Sequence, residues 1–152
     1  MSRNGFRLCA LNGVLMILAG LVIAGFPLAF MVGEQFYGQA SPMPLGGDHR
    51  GWVMAHLEGI FNGMMVVLLA GVTMVRPGMK PGREGWLVPA IILAGWLNVV
   101  ASILAPILSV RGIVFDENLN NNIVAGLFTL GLIPTFAAFY AVIAHLFKRI
   151  ED

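Results

Sequence analysis

From residue 8 to residue 33 the chain carries no charged side chain, and three further stretches, at about 52–75, 86–110 and 123–147, are nearly as bare. A helix rising 1.5 Å per residue needs about 20 apolar residues to cross a ~30 Å hydrocarbon core, so each run is long enough to span a membrane. In lipid every backbone polar group must be satisfied within the protein, which leaves helices or closed barrels. Long continuous runs without strict alternation choose helices. The expected fold is therefore all-α, a four-transmembrane-helix bundle with spans at about 8–33, 52–75, 86–110 and 123–147. Four such spans consume most of 152 residues, so 1–152 reads as a single integral membrane domain. The composition agrees, with 58% hydrophobic and 11% charged residues and a mean hydropathy of +0.83. A cleaved leader ending near Ala40 is the competing reading of the first run, which is too long for a signal-peptide core.

Net charge is only +1, but the positions of the charges are informative. Arg3 and Arg7, then Arg76, Lys80 and Arg83, then Lys148 and Arg149 flank one side of the predicted bundle, whereas the other connections hold only Arg50 and Arg111. The positive-inside rule then places both termini in the cytoplasm. Residues 34–51 and 111–122 become outside loops, and the Pro- and Gly-containing segment 76–83 an inside turn. So few cations exclude the basic, aromatic-interleaved surface of a nucleic-acid binder. Cys9 is alone, so no intrachain disulfide or CxxC motif exists, and it reads as a small apolar residue at a helix start.

Against this background the second span stands out, because it holds His56, Glu58 and Asn62. Ionisable groups within a membrane are expensive and by default mark a site. Trp52, His56, Gly59 and Gly63 recur at i, i+4, i+7 and i+11, one stripe of a helix. That stripe sets a nitrogen ligand beside a surface without side chains. It fits a planar macrocycle held by one imidazole, and it equally fits a neutral structural histidine beside closely packed helices. Asn62 lies six residues beyond His56, which at about 100° per residue turns it some 120° around the helix. Both side chains can serve one cofactor only if it sits between subunits, with His56 from one chain and Asn62 from its neighbour. Glu58 and Asn62, four residues apart, share a face and can pair directly. On the third span Gly95, Asn98, Ser102 and Pro106 form a polar, small-residue stripe that must face protein. Arg50 and Arg111 both flank the His56 end, where they read as partners for cofactor carboxylates or as interface anchors. His145 belongs to the opposite end of its own span, on the order of 20 Å from His56 across the ~30 Å core, which excludes it as a second axial ligand within one chain.

Trp-x-x-x-His at 52–56 followed by Asn-Gly-Met-Met-Val at 62–66, Gly-Trp-x-Asn at 95–98 and Arg-Gly-x-x-Phe-x-x-Asn at 111–118 together resemble the styrene oxide isomerase family. The resemblance is carried by about residues 51–122, with the first and last spans similar in hydropathy. It implies a trimeric enzyme of the bacterial inner membrane that carries haem b between subunits and converts a small apolar aryl epoxide to the aldehyde. By motif position it makes His56 the axial ligand of a ferric iron and Asn62 the catalytic amide that orients the epoxide oxygen. Gly59, Gly63, Arg50 and Arg111 are expected around the cofactor, and Glu58, Asn98 and Ser102 around the pocket. Ferric iron with one imidazole and an open face acts as a Lewis acid on the epoxide oxygen. Ring opening toward the benzylic carbon and a 1,2-hydride shift then give the carbonyl, in a pocket dry enough to keep water from trapping the cation. The chain departs from the family's pattern in two places: Ser102 stands where the family has a tyrosine, and Glu58 where it has a small residue. A haem-binding membrane protein without isomerase activity, such as a sensor or a haem-carrying subunit, is the alternative. A cofactor-free four-span bundle is the third.

Overall fold

In the computed structural model residues 1–38, 46–75 and 81–147 are described, and all regular structure among them is helical. Helix α1 (Arg3–Leu18) passes through a π-helical stretch (Ala19–Ala24) into α2 (Gly25–Tyr37), and α3 (His49–Val75), α4 (Pro81–Ile107) and α5 (Leu119–Phe147) follow. Four rods, Arg3–Glu34, His49–Val75, Gly82–Ile107 and Leu119–Phe147, are long and apolar enough to cross a membrane. Arg76 and Lys80 of the basic turn, together with Lys148 and Arg149, lie outside the described residues.

The π-helical stretch has a local cause. Pro27 has no N–H to give to the carbonyl four residues back, and its ring crowds that carbonyl, so the ladder loosens just upstream. The N–H of Gly25 reaches instead to the carbonyl of Gly20, five residues back. Helix α4 stops at Ile107 rather than running on to Val110, because Ser109 takes a left-handed conformation (φ 54°) and reverses the chain. The helical assignment of α5 is unbroken through Pro134.

Two sets of contacts fix the helix directions. The amino group of Met1 donates to the Thr73 carbonyl at 3.0 Å, and Ser2 bonds the Glu84 carboxylate through both its N–H and its hydroxyl. One end of the bundle therefore gathers the N-terminus, the end of α3 and the start of α4. At the other end Gly47 and Gly51 lie against Pro106, so α3 and α4 are antiparallel. Between these ends the core is built from Cys9, Met16, Val66, Ala70, Leu87, Ile91 and Val99, all fully buried. Leu11, Val22, Phe26, Leu68, Ile133 and Phe136 face outward, the apolar exterior that a membrane demands.

Candidate functional site

Helix α3 meets the first rod along its glycines. A Cβ built on Gly59 would lie 2.4 Å from the Cα of Gly20, and one on Gly63 would lie 2.4 Å from the carbonyl oxygen of Gly13. No side chain fits there, so the two backbones are in direct contact, as small residues permit in membranes. The space beside Gly59 and Gly63 is thus occupied by the first helix, and of the two readings of this stripe the structure shows close packing. Trp52, at the end of the stripe, is fully buried and donates its indole N–H to the Gly46 carbonyl at 2.9 Å.

This contact orients His56. Its Nδ1 lies 3.0 Å from the carbonyl oxygen of Gly20. A carbonyl only accepts, so the bond requires the proton on Nδ1 and leaves the lone pair of the neutral ring on Nε2. Gly25 makes room for the ring, since a Cβ there would come within 3.2 Å of Nδ1. Metal-binding histidines are characteristically held this way, one ring nitrogen donating to a fixed acceptor and the other presented outward. A half-buried neutral imidazole so oriented has the chemistry that would hold a haem iron. Among the described residues no group of three or more His, Cys, Asp or Glu side chains gathers to hold a metal ion.

Glu58, Asn62 and Asn98 form a second arrangement, on another face of α3. The Asn62 amide donates to the Glu58 carboxyl at 2.6 Å and to the Glu58 carbonyl at 2.9 Å. Asn98 on α4 donates to the side-chain Oδ1 of Asn62 at 3.4 Å and to the Ala94 backbone carbonyl at 3.0 Å. The chain at 95–98 is structural elsewhere too: Gly95 abuts Met16, and the Trp96 indole donates to Asn12 at 2.9 Å.

A cavity of about 510 Å³ lies toward the His49 end of α3, bounded by α3, α4, α5 and the segments flanking them. That is a size in the range of small-molecule pockets. Glu58, Ser102, Arg50 and Arg111 all line it, with Met54 and Phe128 as apolar wall. His56, Asn62 and Asn98 do not line it. The structure therefore brings together Arg50, Arg111, Glu58 and Ser102, joins Asn62 and Asn98 to them through Glu58, and leaves His56, Gly59 and Gly63 on the side of the first rod.

Arg111 is set by a braced loop. Gly112 (φ 63°) donates its N–H to the Asn121 side chain at 2.8 Å, and the Asn121 amide donates back to the Val114 carbonyl at 2.6 Å. Asn122 pairs with both backbone groups of Asp116, and Asn118 caps α5 by accepting from the N–H of Asn120 at 2.9 Å. The bracing roles of Asn121 and Asn122 and the Gly20–Gly25 segment escaped the reading of the sequence. The run of three asparagines at 120–122, and two glycines ahead of Pro27, were the available signals.

The model of the family described as Styrene oxide isomerase matches residues 6–147. The chain belongs to the styrene oxide isomerase family. A styrene-oxide isomerase of Pseudomonas fluorescens is 32% identical over 114 residues, which cover 74% of this chain and 67% of that protein. Membership makes the chain an isomerase with membrane-spanning helices, and it extends over the first and last spans, where the resemblance rested on hydropathy alone.

Proposed function

We propose that the chain is a haem b-dependent epoxide isomerase that converts an aryl epoxide such as styrene oxide to the aldehyde. Family membership across residues 6–147 is the observation that carries this reading. The chemistry of the donors fits it. His56, with Nδ1 committed to the Gly20 carbonyl, would present Nε2 to the iron. Arg50 and Arg111 would offer guanidinium groups to carboxylates of the cofactor. When bound, ferric haem supplies Lewis acidity at the epoxide oxygen.

The remaining work falls to the protein. The reaction moves a hydride within the substrate and releases nothing, so the chain must hold the epoxide, place its oxygen and exclude water. Asn62 would place the oxygen through its amide by giving the substrate one of the two N–H groups that it otherwise donates to Glu58, while Asn98 holds its side-chain oxygen. Apolar walls such as Met54 and Phe128 would keep the opened ring from water. His56 and Asn62 point to different faces of α3, so their joint action on one cofactor would need neighbouring subunits that contribute one each, and the resemblance to the family makes that assembly a homotrimer. The distribution of Lys and Arg supports a cytoplasmic location for both termini, and the family resemblance would put the protein in a bacterial inner membrane.

The test is an absorption spectrum of the protein purified in mild detergent from haem-replete cells, beside its His56→Ala variant, with an assay for phenylacetaldehyde formed from styrene oxide. A Soret band and aldehyde, both lost in the variant, are expected. A wild-type protein with neither refutes the reading.

A further inference from the structure

Asn62 and Asn98 face each other across two antiparallel helices. One turn toward the cavity on α3 is Glu58, and one turn toward the cavity on α4 is Ser102, so the register sets these two residues opposite each other on the cavity wall.

Ser102 is 4% exposed, and its hydroxyl is the buried side-chain polar atom that has no hydrogen-bond partner among the described residues. The threonine hydroxyls in the described helices are satisfied internally. Thr73, Thr129 and Thr135 each donate to the carbonyl four residues back, at 3.0, 2.8 and 2.7 Å. Ser102 makes no such bond. A buried hydroxyl left unpaired costs stability, and Ser102 lines the cavity, where a ligand can supply the missing partner. Glu58 is half committed in the same way, with Oε2 taken by Asn62 and Oε1 without a partner among the described residues. Met54, Ala105 and Phe128 supply apolar wall to the same cavity, whose lining also carries Asp48, Arg50, Ser109 and Arg111.

We propose that Glu58 and Ser102 form a polar subsite that receives a hydroxyl group of the substrate, so that this isomerase selects an aryl epoxide bearing a hydroxyl over a plain hydrocarbon epoxide. A hydroxyl matches the pair because it donates to Glu58 Oε1 while accepting from Ser102. A hydrocarbon epoxide leaves both groups without a partner on the ligand, the situation in which hydrogen-bonding sites discriminate most strongly. The proposal rests on the isomerase reading and adds the two residues that determine its specificity.

The experiment compares kcat/KM for trans-3-phenylglycidol and for styrene oxide on wild type, Ser102→Ala and Glu58→Gln, the last of which keeps an acceptor for Asn62. Wild type is expected to favour the hydroxylated epoxide by roughly 10- to 100-fold, the worth of one or two hydrogen bonds in a dry site. Each substitution should lower that ratio by roughly 10-fold, mainly through KM, because the subsite binds ground state and transition state alike. A ratio near one in wild type, or a ratio that neither substitution moves, overturns the proposal. Thermal stabilisation of the purified protein by 3-phenylpropan-1-ol against propylbenzene needs no turnover. If no epoxide is isomerised, the isomerase reading fails, and this pair still decides the subsite: greater stabilisation by the alcohol, lost in Ser102→Ala, supports it, and equal stabilisation overturns it.

Discussion

Gly59→Ala probes the contact on which the orientation of His56 depends. The added methyl would sit 2.4 Å from the Gly20 Cα, 2.7 Å from the Gly20 nitrogen and 3.1 Å from the Met16 carbonyl oxygen. All three neighbours are backbone, so no side chain can swing aside. Restoring ordinary contact at 3.4 Å requires the helices to part by at least the difference, 1.0 Å. The same movement along the contact stretches the 3.0 Å bond from His56 to the Gly20 carbonyl to about 4.0 Å, beyond hydrogen-bonding range. Overpacking costs about 1–3 kcal/mol and the lost bond within the membrane about 1 kcal/mol, together about 2–4 kcal/mol. That is a factor of roughly 30 to 1,000 in the folded-to-unfolded ratio. Gly71→Ala makes the same chemical change on the same helix where nothing lies within 4 Å. It should be neutral or stabilising by up to about 1 kcal/mol, since alanine is the better helix former. Reversible unfolding by SDS in mixed micelles, followed by circular dichroism, measures both. If Gly59→Ala unfolds at the same SDS fraction as Gly71→Ala, the two backbones are not in contact and the account of His56 fails with them.

Three further outcomes follow from the site. Gly112→Ala places a side chain at φ 63° and within 2.2 Å of Val124, so it should destabilise the loop by roughly 1–3 kcal/mol, read as faster proteolytic cleavage between residues 110 and 118. Asn121→Ala removes the bonds to Gly112 and Val114 and should expose the same segment to protease, whereas Asn120→Ala, whose side chain makes no such bond, should not. Asn62→Ala strips the Glu58 carboxyl of its donor and should lower stability by about 1–3 kcal/mol. In a Glu58→Ala background, which has no side-chain acceptor for Asn62, the loss should shrink, and a cycle without that coupling refutes the pairing.

The spans were legible because length and apolarity act over many residues, and no local detail can reverse a run such as 8–33. The Glu58–Asn62 pair was legible because residues four apart on a helix meet whatever surrounds them. The glycine stripe shows where such reading ends. Periodicity identified one face with His56, Gly59 and Gly63, yet it could not say that Gly13 and Gly20, more than thirty residues earlier, would cover it. The π-helical stretch was hidden for a similar reason. Its carbonyl matters because a histidine on another helix reaches it, and that partnership exists only after packing. Ser102 was read as one member of a polar stripe, and only the cavity distinguishes its unpaired hydroxyl from the satisfied threonines.

Helix α3 thus separates two tasks that the proposed chemistry needs at once. Its glycine face is closed by backbone contact, which orients one imidazole. Its other face, through Glu58 and Asn62, adjoins a cavity that can discriminate among ligands. The helix backbone stands between them, so within one chain a perturbation of either face should leave the other largely intact. Gly59→Ala should weaken the Soret signature attributed to His56 while preserving the preference for a hydroxylated epoxide in the fraction still loaded. Ser102→Ala should erode that preference while preserving the Soret band. Distant sites without shared partners combine additively to within about 0.5 kcal/mol. The double variant should then show both losses at the size of each alone. A strong departure from additivity would mean that the two faces meet after all, through the Glu58–Asn62–Asn98 chain or through a neighbouring subunit that brings its own His56 to the cavity.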